Sequence, residues 1–228
     1  MESFHQNELV QFAERVKTSD VVVLGEIHGV KENVDVLTSV VNSLHEISSR
    51  PLVLAFEWAI DSQVVTQLNQ YIHTEIDVFP ESIFFSDSDG RFTSEHRRFL
   101  DELREHQSLN FIAIAIFDGE SSDNHEGFMA ENLLSVQRSN PNALIITSAG
   151  VIHARKSAYR DIDGKEVIPM VSYLSTHLKV TSVFLRYLHG EIIVEGKKFS
   201  ITDAASQIEG PGNAFDYEII VEAATPCS

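Results

Sequence analysis

Two short stretches of this chain place an imidazole where it could move protons. The first is Gly25-Glu26-Ile27-His28, directly after the apolar run Val21-Val22-Val23-Leu24. A carboxylate next to an imidazole can orient the ring or act as a base itself. The second is Gly150-Val151-Ile152-His153, which follows the run Leu144-Ile145-Ile146-Thr147. Both read as a strand, a glycine turn and a histidine three residues on. Glycine at a strand end permits a positive φ or a close backbone approach, so the histidine after it could point back over the sheet. A third group, Glu57, ends the apolar run 52–56 and precedes Trp58, and Asp118 ends the run 110–117.

Three further groups extend this set. His125 and Glu126 open a predicted helix, where a first-turn glutamate also suits the helix dipole. Arg155 follows His153 closely and reads either as a surface cation or as an anion clamp. Trp58 reads as a core or rim aromatic, with substrate binding as its functional role. The chemistry that fits is hydrolysis, with water activated by Glu57 or Glu26 together with His28 or His153. His125 or Arg155 would steady the developing oxyanion. If a divalent metal takes part, the candidate ligands are Glu26, His28, Glu57 and His153, joined by His125. Mixed His/carboxylate ligation suits Zn²⁺ or Mn²⁺. The remaining histidines fall on predicted helices, turns or termini and read as surface or packing residues. HExxH, Walker, GxGxxG and GxSxG patterns are absent from the sequence.

The elements that must carry these groups follow from hydrophobic periodicity. Residues 21–24, 52–56, 110–117 and 143–147 are continuous apolar runs, the pattern of strands buried on both faces. Between them lie stripes of helical period: Leu9, Phe12, Ala13 and Val16; then Val34, Leu37, Val40, Val41, Leu44 and Ile47; then Val64, Val65, Leu68 and Ile72 behind a capping Asp61; then Phe99, Leu100 and Leu103 behind a capping Ser94. A helix is predicted over 125–139, broken by Asn140-Pro141-Asn142, and another over 169–178. Residues 74–93 lack clear periodicity and read as a lid, a binding segment or a surface excursion. Residues 180–188 and 191–195 read as strands joined by a hairpin at His189-Gly190, with a last strand over 215–221 at an edge.

Strands alternating with helices imply an α/β fold, with a mainly parallel sheet flanked by helices on both faces and a C-terminal antiparallel hairpin. Residues 1–228 read as a single domain, long enough for one sizeable core. The echo between the two glycine–histidine turns suggests two pseudo-repeated halves. In such sheets ligands bind beyond the carboxyl ends of the strands, which is where Glu26, His28, Glu57, Asp118 and His153 fall.

Composition narrows the partners. The net charge of -17, from 17 basic and 34 acidic residues, repels phosphate backbones and anionic membranes, so nucleic acid is not expected. With hydrolysis as the chemistry, the expected substrate is a small molecule or a peptide. Apolar runs are strand-sized, so no membrane span is expected. The single cysteine, Cys227, excludes a disulfide framework, and a cytoplasmic setting is expected.

Val23-Leu24-Gly25-Glu26-Ile27-His28-Gly29 resembles the opening motif of the superfamily that groups erythromycin esterases, ChaN-like haem-binding proteins and Tiki/TraB proteins. Phe56-Glu57 resembles its second acidic strand end. Met129-Ala130-Glu131-Asn132 resembles its helix motif, and Ala149-Gly150-Val151-Ile152-His153-Ala154-Arg155 its second glycine–histidine motif. Pro169-Met170 with Tyr173-Leu174 is similar to a weaker later element. The matches span residues 20–188. His125 stands where the family usually has an arginine, with Glu126 as the acid after it. The Glu26-x-His28 spacing is closer to the ChaN-like form than to the esterase form. The resemblance implies a hydrolase of ester, amide or peptide bonds, metal-dependent as in Tiki proteins or metal-free as in the esterases. It implies a ChaN-like haem- or metal-binding protein without catalysis as the alternative.

Overall fold

The computed structural model describes residues 6–59, 62–80, 90–105, 113–117, 124–161, 163–194, 197–201 and 214–227. Asp61 and Asp118, singled out from the sequence, lie outside these. The elements in chain order are α1 (Gln6–Val16), β1 (Val21–Glu26), α2 (Glu32–Ile47), β2 (Leu52–Ala59), α3 (Ser62–Ile72), α4 (Ser94–Glu105), β3 (Ala113–Phe117), α5 (His125–Ser139), β4 (Leu144–Gly150), β5 (Tyr159–Arg160), β6 (Glu166–Val167), α6 (Met170–Leu174), β7 (Val180–Val194), β8 (Lys197–Ser200) and β9 (Tyr217–Ala224).

The main sheet runs β3-β2-β4-β1-β7, with β9 parallel to β7 at the far side and β8 antiparallel to the end of β7. Every other pairing in this sheet is parallel. The α/β class, the parallel sheet and the C-terminal antiparallel pair therefore agree with expectation. Alternation along each strand feeds two cores. Val22, Leu24, Leu54 and Phe56 pack with α1 to α4, while Val21, Val23, Val53 and Ala55 pack with α5 and α6. Both faces of the sheet are thus covered, which is why the first strands read as unbroken apolar runs.

Three local expectations are corrected. The hairpin at His189-Gly190 does not form, because β7 runs straight through it to Val194 and pairs there with β8. Gly190 is needed for another reason. Its φ is +123°, and a Cβ there would meet the Ala224 carbonyl oxygen of β9 at 2.1 Å. The residue read as a turn is a close approach of two parallel, paired strands. At α4, the cap is Thr93 rather than Ser94. The Thr93 backbone N–H donates to His96 Nδ1 at 3.2 Å, and Thr93 Oγ1 lies 3.0 Å from the same nitrogen. The helix predicted over 169–178 ends at Leu174, because Ser175 to Leu178 form turns that lead into β7.

The topology decides what the strand ends share. β1 and β4 are direct neighbours, with Glu26 level with Gly150. The other side of β4 pairs with β2 up to Phe56 and Ser148. The three strands that carry Glu26, Gly150 and Glu57 are therefore adjacent and end together. The β2–β3 register shifts between Phe56 and Ala59, a local irregularity at the position of Glu57 and Trp58. Irregularities of this kind re-aim side chains at the ends of paired strands.

Candidate functional site: two carboxylate–histidine pairs around Glu57

Glu57 is the centre of the arrangement. It is 2% exposed, and its two carboxylate oxygens face different partners. Oε2 accepts the backbone N–H of Gly150 at 2.7 Å and lies 3.5 Å from Nε2 of His28. Oε1 lies 3.4 Å from Nε2 of His153. The β2–β4 ladder ends at Ser148, so the Glu57 side chain supplies the acceptor that Gly150 would otherwise lack. An unmet buried N–H is costly, which favours this placement.

Each histidine is backed by its own acid. His28 Nδ1 sits 3.1 Å from Glu26 Oε1, and the other Glu26 oxygen accepts a short hydrogen bond from the Ser148 hydroxyl. His153 Nδ1 sits 2.8 Å from Glu126 Oε1. Glu126 is held in turn by the Tyr159 hydroxyl at 3.3 Å and by the Met170 backbone N–H at 2.8 Å. With Nδ1 turned to a carboxylate, each ring presents Nε2 to Glu57. This is how a second carboxylate fixes both the tautomer and the direction of a working imidazole.

Glycine keeps the middle of the site open. A Cβ on Gly150 would lie 3.0 Å from His28 Nε2, 3.3 Å from His153 Cδ2 and 3.4 Å from Glu57 Oε2. At Gly25 the need is packing, since a Cβ would sit 2.7 Å from the Cβ of Ala154.

The electrostatics follow from this wiring. Burial disfavours the charged form of His28, but Glu26 and Glu57 outweigh it and push its pKa up to about 9. Burial likewise opposes a charge on His153, and Glu126 and Glu57 push it up to about 9. Burial alone would raise Glu57, yet the two facing histidines hold its carboxyl well below the usual carboxylate range. Glu26 is also lowered against the effect of burial, chiefly by His28. His125 moves the other way. Burial first, and then the neighbouring His153, keep it below the ordinary histidine value. Its ring centroid is 5.4 Å from that of His153.

Among the described residues, Glu57, His125 and His153 form a group that could hold a metal ion, each offering one ligand atom with all three within 4.8 Å of one another. The 3.4 Å from Glu57 Oε1 to His153 Nε2 suits two ligands of one ion, because tetrahedral donors at about 2.0–2.1 Å from zinc stand about 3.3–3.4 Å apart. Glu57 and His153 belong to the set expected from the sequence. His125 joins them, while Glu26 and His28 stand beside the group as a separate pair.

The other expected residues have different surroundings. Trp58 is 3% exposed and stacks on Phe56 with ring centroids 4.0 Å apart, so it belongs to the core rather than to a substrate platform. Arg155 is buried too, not a surface cation. Glu126 hydrogen-bonds to His153 from behind.

Two residues of the arrangement, Tyr159 and Arg91, were not marked by the sequence. Arg91 donates to Glu57 Oε1 from Nε at 3.0 Å and from Nη2 at 2.8 Å. It lies in the segment without periodicity, where no pattern marked it. Its backbone is tied down on both sides. The Trp58 indole N–H donates to the Arg91 carbonyl at 2.9 Å. Gly90, before it, packs on Gly29, whose N–H donates to the Gly90 carbonyl at 3.2 Å. Both glycines have φ near +80°, and a Cβ on Gly90 would fall 2.5 Å from the Gly29 Cα. On its other side, the Gly29 carbonyl accepts the Cys227 N–H at 2.8 Å. The turn carrying His28 is therefore held between the Arg91 segment and the C-terminal residues.

No helix among the described residues is long and apolar enough to cross a membrane. No protein-family model and no curated protein matches the chain. Two solved structures share its architecture. A protein from Bacillus cereus aligns at 9% identity with a TM-score of 0.61, over 98% of this chain and 99% of that one. A succinoglycan biosynthesis protein aligns at 12% identity with a TM-score of 0.64, over 98% of this chain and 88% of that one. At such identities the likeness shows the fold alone: this chain has the α/β architecture of those two proteins over nearly its whole length.

Proposed function

We propose that this protein is a hydrolase that activates water beside Glu57 and cleaves an ester or an amide bond in a small molecule or a peptide. The observation that carries the reading is the buried Glu57 carboxylate facing two imidazoles, each backed by its own acid. A divalent ion, Zn²⁺ or Mn²⁺, fits the Glu57–His125–His153 group and would supply Lewis acidity there. Glu126 aligns His153 for that task through Nδ1. His125, kept neutral, has a lone pair to offer. The Glu26–His28 pair stands outside the group. With its pKa near 9, His28 is an imidazolium at neutral pH and can donate a proton to the departing alkoxide or amine. His28 is 20% exposed at its side chain, against 2% for Glu57, so it is the more accessible of the two to an incoming substrate.

The test is turnover of p-nitrophenyl acetate and of a mixed peptide pool by the full chain, with and without added Zn²⁺ or Mn²⁺. Activity that disappears in both Glu57→Gln and His153→Ala, with the fold preserved by circular dichroism, supports the reading. Undiminished turnover in both variants overturns it.

A further inference from the structure

We infer that Arg91 is an internal cation that competes with a divalent ion for Glu57, and so sets how tightly the Glu57–His125–His153 group takes metal. This rests on the metal-assisted reading above. The geometry points to it through one atom. Both donated N–H groups of Arg91 converge on Glu57 Oε1, and Oε1 is also the oxygen 3.4 Å from His153 Nε2. The oxygen best placed to ligate an ion together with His153 is the one the guanidinium holds.

An arginine on a ligating carboxylate can instead be a support that orients it, and losing such a support weakens metal binding, typically 10–100-fold. The surroundings argue against that role here. Glu57 has an anchor that does not involve Arg91, since Oε2 accepts the Gly150 N–H at 2.7 Å and faces His28. Arg91, for its part, is delivered by a backbone fixed elsewhere, through the Trp58 indole and the contact of Gly90 with Gly29. Glu57 stays oriented if the guanidinium leaves, and the guanidinium is brought to Glu57 by bonds that do not depend on it. What Arg91 adds at Oε1 is a positive charge beside the ion's place, and like charges this close oppose each other.

The experiment titrates Mn²⁺ and Zn²⁺ separately into metal-stripped full-length protein by calorimetry, with Mn²⁺ binding checked by electron paramagnetic resonance. Arg91→Met keeps the apolar stem and removes the charge. The expected result is one ion bound at least tenfold more tightly than by the unmodified chain, with the gain abolished when His153→Ala is added. Arg91→Gln offers an uncharged donor to Oε1 and carries the same expectation should the methionine variant not fold. Affinity equal to or weaker than that of the unmodified chain overturns the inference while leaving the metal reading intact. No binding by either protein overturns both.

Discussion

The indole N–H of Trp58 donates to the main-chain carbonyl of Arg91 at 2.9 Å, while the preceding residue, Glu57, takes the guanidinium of the same arginine. Two consecutive residues of β2 therefore hold Arg91, Trp58 by the arginine's backbone carbonyl and Glu57 by its guanidinium. Trp58→Phe keeps an aromatic ring on Phe56 and removes the indole donor together with part of the buried ring. The expected cost is about 1–3 kcal/mol, from the lost hydrogen bond and the space left by the smaller ring, read as a lower midpoint in urea unfolding. A variant as stable as the unmodified chain would show that the bond contributes nothing.

Gly150 can be tested by adding a single methyl group. In Gly150→Ala the new Cβ falls within 3.4 Å of His28, His153 and Glu57, with no backbone strain to confuse the result, since Gly150 is not among the positive-φ glycines. Overpacking of this kind costs about 1–3 kcal/mol. Metal affinity and turnover should each fall at least tenfold although no ligand or acid has been removed. Unchanged affinity and turnover would mean that the space in front of Gly150 is not used.

Stability of the metal-stripped protein should depend on pH at both ends. His28 and His153 have folded-state pKa values raised from 6.5 to about 9. Their contribution is fully present below 6.5 and is lost as pH rises through 9. Glu57 is depressed below its ordinary 4.5, so its contribution is present above 4.5 and lost as pH falls through its folded-state value. Thermal melts from pH 3 to pH 10 should show a plateau between about pH 4.5 and 6.5, with decline below it and, through neutrality, above it. In His28→Gln the alkaline decline should become shallower, and an identical alkaline limb would refute the assignment.

Tyr159 holds the Glu126 oxygen that faces His153. Tyr159→Phe should leave the fold intact at a cost of about 0.5–1.5 kcal/mol, and should weaken Mn²⁺ binding several-fold by loosening the acid behind a ligand. Affinity equal to that of the unmodified chain would confine Tyr159 to a packing role.

Haem, the alternative suggested by sequence resemblance, makes a separate demand. Both His28 and His153 direct Nε2 at Glu57, at 3.5 and 3.4 Å, and their other nitrogens at Glu26 and Glu126. Titration with haemin is expected to give no shifted Soret band at stoichiometric ratio. A sharp shifted band that disappears in His28→Ala or His153→Ala would replace the hydrolase reading with a haem site.

Much of this protein was legible in its residues alone. The β-branched runs at β1 and β4 announce buried strands because such runs suit no other environment so well, and the glycine–histidine turns sit where those runs end. Placing Glu26, His28, Glu57 and His153 at strand ends needs only that pattern. The Glu26–His28 pair is local, and its two-residue spacing was sufficient to find it. The tertiary structure decided the rest. Glu126 reaches His153, and Arg91 reaches Glu57, across long stretches of chain, so their pairing depends on which strands lie side by side. Hydrophobic period carries no information about strand order, and Arg91 lies in a segment with no period at all. Gly190 shows the same limit. A glycine after a histidine between two apolar runs looks like a turn, and the pairing of β9 alongside β7 reveals that it is a close approach of two strands. Local propensity acts over a few residues, whereas the contacts that assemble this site are fixed by how the whole sheet is ordered.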